Sequence, residues 1–125
     1  MGVAVTDLDQ SIQMYTSLFG ATLLQRVTSD LEGLEAALLR LGEVELELMT
    51  PLRDDSPVGK FVAKRGPGLH HIAYAVTDIE QKLSDARAAG LELIDAAPRK
   101  GMHGFRIAFI HPKSMGGVLT ELVET

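Results

Sequence analysis

Apolar and polar positions follow two rhythms along this chain, and the rhythms recur in the same order twice. Gly2 to Val5 reads as the end of a short apolar strand. Leu8, Ile12, Tyr15 and Leu18-Phe19 then fall at helical spacing, with Asp7 or Asp9 placed to cap the helix and Gly20 to end it. Ala21 to Val27 reads as a strand, and Thr28 to Gly33 as a polar turn. Leu34 to Leu41 and Val44 to Met49 predict two strands joined around Gly42-Glu43. In the second of these, Val44, Leu46 and Leu48 point one way and Glu43, Glu45 and Glu47 the other. Pro51 to Ser56 reads as a loop and Val58 to Arg65 as a short helix. Gly66-Pro67-Gly68 is the natural joint.

The second half repeats the order. Leu69 to Val76 reads as a strand, and Asp78 caps a helix carrying Ile79, Leu83 and Ala86 that stops at Gly90. Leu91 to Ile94 reads as a strand, Arg99 to Gly104 as a basic, glycine-containing loop, and Phe105 to Ile110 and Val118 to Val123 as the last two strands. The repetition extends to residue identity. Val5-Thr6-Asp7-Leu8-Asp9-Gln10 returns as Val76-Thr77-Asp78-Ile79-Glu80-Gln81, an offset of 71. Leu46-Glu47-Leu48-Met49 is echoed by Thr120-Glu121-Leu122-Val123. Each half is thus strand–helix–strand–strand–strand, and a duplicated unit fixes the architecture before any single residue does.

Composition narrows the field. At 125 residues the chain is one domain, long enough to bury a core, with modules at about 1–65 and 69–125. Its 46% hydrophobic and 23% charged residues are ordinary for a globular protein. A net charge of −5 without a basic stripe argues against nucleic acid as a partner. The absence of cysteine removes disulfides, thiolate ligands and a thiol nucleophile, and suits a reducing compartment. No apolar run reaches the length of a membrane span, and no basic segment leads into an apolar core at the start. The expectation is a cytoplasmic protein that binds no membrane. Six aromatics, Tyr and Phe only, disfavour a stacking groove.

Candidate chemistry lies on the echoed positions. Glu47 and Glu121 occupy matching places on matching strands, and His71 opens the first strand of the second half. The repeat-mate of His71 would stand immediately before Met1. Two halves closing on a cleft would offer imidazole and carboxylate donors, which suit Zn, Co, Ni or Mn and leave coordination positions for substrate oxygens. The competing view is that strand glutamates face solvent and that His71 is a hydrogen-bonded strand residue.

Several segments carry a family likeness. They are Gly68-Leu69-His70-His71-Ile72-Ala73-Tyr74 with Asp78-Ile79, Pro98-Arg99-Lys100-Gly101-Met102-His103-Gly104, and His111-Pro112-Lys113-Ser114 running through Val118-Leu119-Thr120-Glu121-Leu122. Leu48-Met49-Thr50-Pro51-Leu52 with Asp55-Ser56-Pro57 adds to them. On these the chain resembles the methylmalonyl-CoA epimerases of the vicinal oxygen chelate superfamily, which also contains glyoxalase I. The resemblance implies an α+β fold, two βαβββ modules forming a half-open barrel-like sheet around a divalent metal. It implies Glu47, His71 and Glu121 as metal ligands, and a further histidine expected upstream of Met1, failing which the site would hold metal more weakly.

The implied reaction is epimerisation of (R)/(S)-methylmalonyl-CoA by metal-assisted 1,1-proton transfer through an enolate, with an acyl-CoA substrate and a homodimer. Glu121 would be one base. The family's other base position falls on Leu31, which carries no proton, so its neighbours Asp30 and Glu32 are the candidates. Arg99, Lys100, His103, Lys113 and Ser114 would meet the acyl carrier or the substrate carboxylate. Two rivals stand beside this: a glyoxalase I-type lactoylglutathione lyase, and a non-enzymatic member that binds a metal or small molecule. The His-Pro-Lys-Ser run and the Pro-Arg-Lys-Gly loop favour the epimerase.

Overall fold

The computed structural model describes every residue, Met1–Thr125. The chain divides into two compact units, Met1–His70 and His71–Thr125.

In the first unit, β1 (Gly2–Ala4), α1 (Leu8–Phe19), β2 (Thr22–Ser29), β3 (Leu34–Leu41), β4 (Val44–Pro51) and α2 (Pro57–Arg65) follow in sequence, with the strands ordered β2-β3-β4-β1. β2, β3 and β4 form an antiparallel meander, and β1 returns parallel to β4 with Gly2 opposite Glu47. α1 forms because Asp7 Oδ1 accepts the Gln10 amide at 3.0 Å and Gly20 takes the left-handed φ of 69° that ends the helix. One face of the sheet packs on α1 through Leu8, Ala37, Leu39, Leu46 and Leu48. Leu39 and Leu48 are wholly buried, each stabilising the unit by about 1.5–3 kcal/mol. Because side chains alternate along a strand, Glu47 projects from the other face.

The second unit contains most of β5 (Gly68–Val76), then α3 (Ile79–Ala88), β6 (Arg99–Lys100), β7 (Arg106–Ile110), a 3₁₀ turn at Pro112–Ser114, and β8 (Thr120–Glu124). Its strand order, β5-β8-β7-β6, repeats the first unit's topology. Asp78 Oδ1 caps α3 at the Gln81 amide, 3.1 Å. Ile79, Leu83, Ala86, Ala108, Ile110 and Leu122 make the core. The register of the two units coincides: Glu47 lies opposite Gly2 and Leu38, and Glu121 opposite Ala73 and Phe109.

The structure corrects one strand. Leu91–Ile94 makes only an isolated bridge, Leu93 to Ile110. The amides of Ile94 and Asp95 both reach the Phe109 carbonyl, at 2.9 and 3.2 Å. The Phe109 amide is taken by the Asp95 carboxylate at 2.8 Å, so a side chain occupies the place of a ladder carbonyl. The pairing strand is instead Arg99–Lys100, from the segment expected to be loop. The last strand also starts later, at Thr120 rather than Val118.

Candidate functional site

The second unit brings two predicted residues together on the sheet face turned away from α3. Leu122, Ala108 and Ile110 point to the helix, so Glu121 and Phe109, their strand neighbours, point away. Ala73 lies opposite Glu121, and His71, two residues earlier, shares its face. His71 is 3% exposed, and its Nε2 stands 3.6 Å from Glu121 Oε1. That separation is longer than an N–H···O hydrogen bond. The Phe109 ring meets the His71 ring edge-on, centroids 5.7 Å apart and planes at 89°. The Arg99 guanidinium lies 5.7 Å from the centroid of the same Phe109 ring, and its Nε is 3.3 Å from Asp95 Oδ1. Imidazole, carboxylate and a flanking cation thus succeed one another across β5, β8, β7 and β6.

In the first unit Glu47 is half-buried on β4. His70 also belongs to this unit. Burial pushes its imidazole below the usual histidine range, while the charge of Glu47 pulls the other way. Its ring packs edge-on against Phe61 at 4.9 Å. Asp30 and Glu32 lie in the turn between β2 and β3; Asp30 is exposed and Glu32 half-buried. Leu31 between them is 90% exposed, an apolar side chain at the tip of a turn.

The remaining predicted contacts are spread along loops. Lys100 is exposed, and His103 is half-buried between β6 and β7. Lys113 is exposed, and Ser114 Oγ accepts the Glu92 amide at 2.8 Å, so this hydroxyl ties the 3₁₀ turn to the segment after α3. The His71–Glu121 pair has a spacing that fits a divalent ion. Two donors at about 2.1 Å from a tetrahedral ion stand about 3.4 Å apart, close to the observed 3.6 Å. His71 is buried and Glu121 half-buried, and their types suit the ion. No group of three or more His, Asp or Glu side chains is gathered closely enough to hold an ion by itself. Phe109 is an addition that the folded chain makes to the predicted set, and the register opposite Glu121 points to it.

Comparison with known proteins places this geometry. Residues 1–109 match the Glyoxalase/Bleomycin resistance protein/Dioxygenase superfamily. The chain belongs to that superfamily. Among superfamily members, the mitochondrial methylmalonyl-CoA epimerase of Dictyostelium discoideum is 35% identical over 99% of this chain and 75% of its own length. The crystal structure of methylmalonyl-CoA epimerase from Mycobacterium tuberculosis is 40% identical and superposes with a TM-score of 0.91, covering 98% of this chain and 83% of that one. A variant of the Streptomyces coelicolor epimerase, solved in complex with 2-nitronate-propionyl-CoA, is 37% identical with a TM-score of 0.93, over 99% of this chain and 90% of that one. The α+β architecture is thus the superfamily's own. No helix is long and apolar enough to cross a membrane.

Proposed function

We propose that this chain is a methylmalonyl-CoA epimerase, interconverting the (R) and (S) thioesters by 1,1-proton transfer through an enolate. The observation that carries the proposal is the His71–Glu121 pair, a buried imidazole and a half-buried carboxylate aligned on one sheet face at 3.6 Å, in a chain similar over its length to proteins of that name. The names of these relatives also favour it over a lactoylglutathione lyase.

The reacting carbon lies between a thioester and a carboxylate. Its proton is weakly acidic, and removing it leaves negative charge on the thioester oxygen. A base on one face takes the proton, and an acid on the opposite face returns one. Glu121 is the first of these, with its carboxylate held against His71 on the helix-free face. Glu32 is favoured as the second because it is half-buried where Asp30 is exposed. A divalent ion, when bound, supplies Lewis-acid polarisation of the thioester carbonyl. His71 and Glu121 would hold it, and Glu47 is assigned as a further ligand on the family likeness alone. Arg99 and Lys100, with His103, Lys113 and Ser114, are assigned to the anionic acyl-CoA.

Met14, Leu18, Phe19, Leu23 and Leu24 stay exposed on α1 and β2, which supports a homodimer burying that surface. A cytoplasmic location is part of the same proposal, in keeping with a chain without cysteine. The test is proton NMR of methylmalonyl-CoA in D₂O, with and without EDTA. Enzyme-dependent, EDTA-sensitive loss of the α-proton is expected. No loss above background after loading with a divalent metal would overturn the proposal.

A further inference from the structure

One carboxylate ties the irregular segment after α3 to the sheet face that carries His71 and Glu121. Asp95 Oδ2 accepts the Phe109 amide at 2.8 Å, and the Asp95 amide donates to the Phe109 carbonyl at 3.2 Å. Its other oxygen, Oδ1, lies 3.3 Å from Arg99 Nε. The segment is held on both flanks of Asp95. The Glu92 carbonyl accepts the His111 amide at 2.9 Å. Arg87, in the last turn of α3, donates through Nη2 to the Ala96 carbonyl.

The register puts Arg99 on the side of the pair. It faces Ile107 across β6 and β7; Ile107 and Phe109 share a face, and Phe109 faces Glu121 across β7 and β8. The Arg99 guanidinium lies over the Phe109 ring, and the same ring meets His71 edge-on. Gly101 lets the loop after β6 pack closely here: a Cβ on it would stand 3.1 Å from Ile107 Cδ1 and Cγ2. A half-buried carboxylate thus fixes a more exposed guanidinium one aromatic ring from His71.

We propose that Asp95 is a positioning residue for substrate recognition: it sets the Arg99 guanidinium on the Phe109 ring, where Arg99 takes the substrate's own carboxylate rather than the phosphates of its carrier. The inference rests on the epimerase reading. A guanidinium has five N–H donors, so a bond to Asp95 can coexist with bonds to a ligand. It recognises a carboxylate in its own plane, so fixing that plane fixes the recognition. In methylmalonyl-CoA the carboxylate is attached to the reacting carbon itself, whereas the phosphates lie beyond the pantetheine arm. A cation one ring from His71 is therefore in the neighbourhood of the first and not of the second.

The test is calorimetric binding of three probes to metal-loaded protein, with metal content and a thermal melt measured on each sample. The probes are methylmalonyl-CoA at epimeric equilibrium, propionyl-CoA, which lacks only the carboxylate, and free CoA, which keeps the phosphates. The quantity read is the preference for methylmalonyl-CoA over propionyl-CoA. Arg99→Gln is expected to reduce that preference by about 10- to 100-fold, the order of a charged hydrogen bond. Its affinity for propionyl-CoA and for CoA should stay within about 3-fold of wild type. Asp95→Asn keeps the side-chain shape and an acceptor for the Phe109 amide but removes the charge on Arg99. It should lose part of the same preference, and should add nothing in the Arg99→Gln background, because the group it positions is gone.

An Arg99→Gln preference within about 3-fold of wild type overturns the proposal, as does a wild-type protein without the preference. Equal weakening of all three probes assigns Arg99 to the phosphates and overturns it as well. A full preference in Asp95→Asn, or an undiminished further loss on top of Arg99→Gln, removes Asp95 as a positioning residue. Each of these, found in protein that washes out the α-proton, leaves the epimerase reading standing. Metal-loaded protein that binds neither acyl-CoA defeats that reading and this inference with it.

Discussion

Replacing Glu121 by glutamine isolates its proton chemistry from its packing. The two side chains have nearly the same shape, and the carboxylate is 13% exposed, between the His71 ring and its strand neighbours on β8. Glu121→Gln would leave the apolar contacts of Leu122 and Ala108 untouched, since those lie on the α3 side. Folding stability should therefore change by no more than about 1 kcal/mol, the order of one hydrogen bond. Catalysis should change far more. Removing a general base costs about 100- to 10,000-fold, which is about 3–5 kcal/mol of transition-state stabilisation. The loss should appear in kcat, because the base acts on the reacting carbon after the acyl carrier is bound. The assay is α-proton washout followed by NMR for each stereoisomer separately, with a thermal melt and metal content measured on the same sample. A Glu121→Gln enzyme within about 3-fold of wild-type kcat, with metal retained and the melt unchanged, would refute the assignment of Glu121 as a base.

Four further outcomes follow from the same structure. Glu47→Ala should weaken metal binding without unfolding the chain, measured by metal titration of EDTA-stripped protein; undiminished affinity would remove Glu47 from the ligand set. Between Asp30→Asn and Glu32→Gln, only the second should slow turnover, and equal, wild-type rates in both would place the second base elsewhere. Phe109→Leu should lower kcat modestly, about 3- to 10-fold, by loosening the ring that borders His71; a rate equal to wild type would show that His71 is held without it. Leu39→Ala removes a wholly buried side chain and should cost about 2–5 kcal/mol in denaturant unfolding; a change below about 1 kcal/mol would contradict the core described above.

The duplication was legible because it is written in side chains. The Asp7 and Asp78 caps, the helix periodicity after each, and the echo of Glu47 in Glu121 all sit at local spacings that carry their own physics. The structure then added what spacing could not hold: the common register, with Glu47 and Glu121 on the same rung of two separate ladders. The segment after α3 departs from its expected strand for a physical reason. Leu91, Leu93 and Ile94 have strand composition, but a carboxylate, Asp95, replaces a ladder carbonyl, and composition does not reveal such a substitution. Arg53, which ties the loop after β4 to the turn between β2 and β3, was illegible for another reason. In Leu52-Arg53-Asp54-Asp55 it looks like one charge of a solvated loop. Its carbonyl partners lie 22 and 23 residues away, and only the folded chain brings them to its fork. The role of Ser114 was visible as a motif but not as a tie to Glu92, since that amide belongs to a segment without regular structure.

Each carboxylate has a small residue opposite it on one side, Gly2 for Glu47 and Ala73 for Glu121, and a large one on the other, Leu38 and Phe109. On the β1 and β5 sides, the space beside each carboxylate is thus left open by a position that carries no chemistry of its own. Enlarging either one crowds its carboxylate without altering the charge or the strand that presents it. The space beside one carboxylate can therefore change in one module while the other stays fixed. The duplicated unit carries two such positions where a single copy would have one, and each can be altered independently.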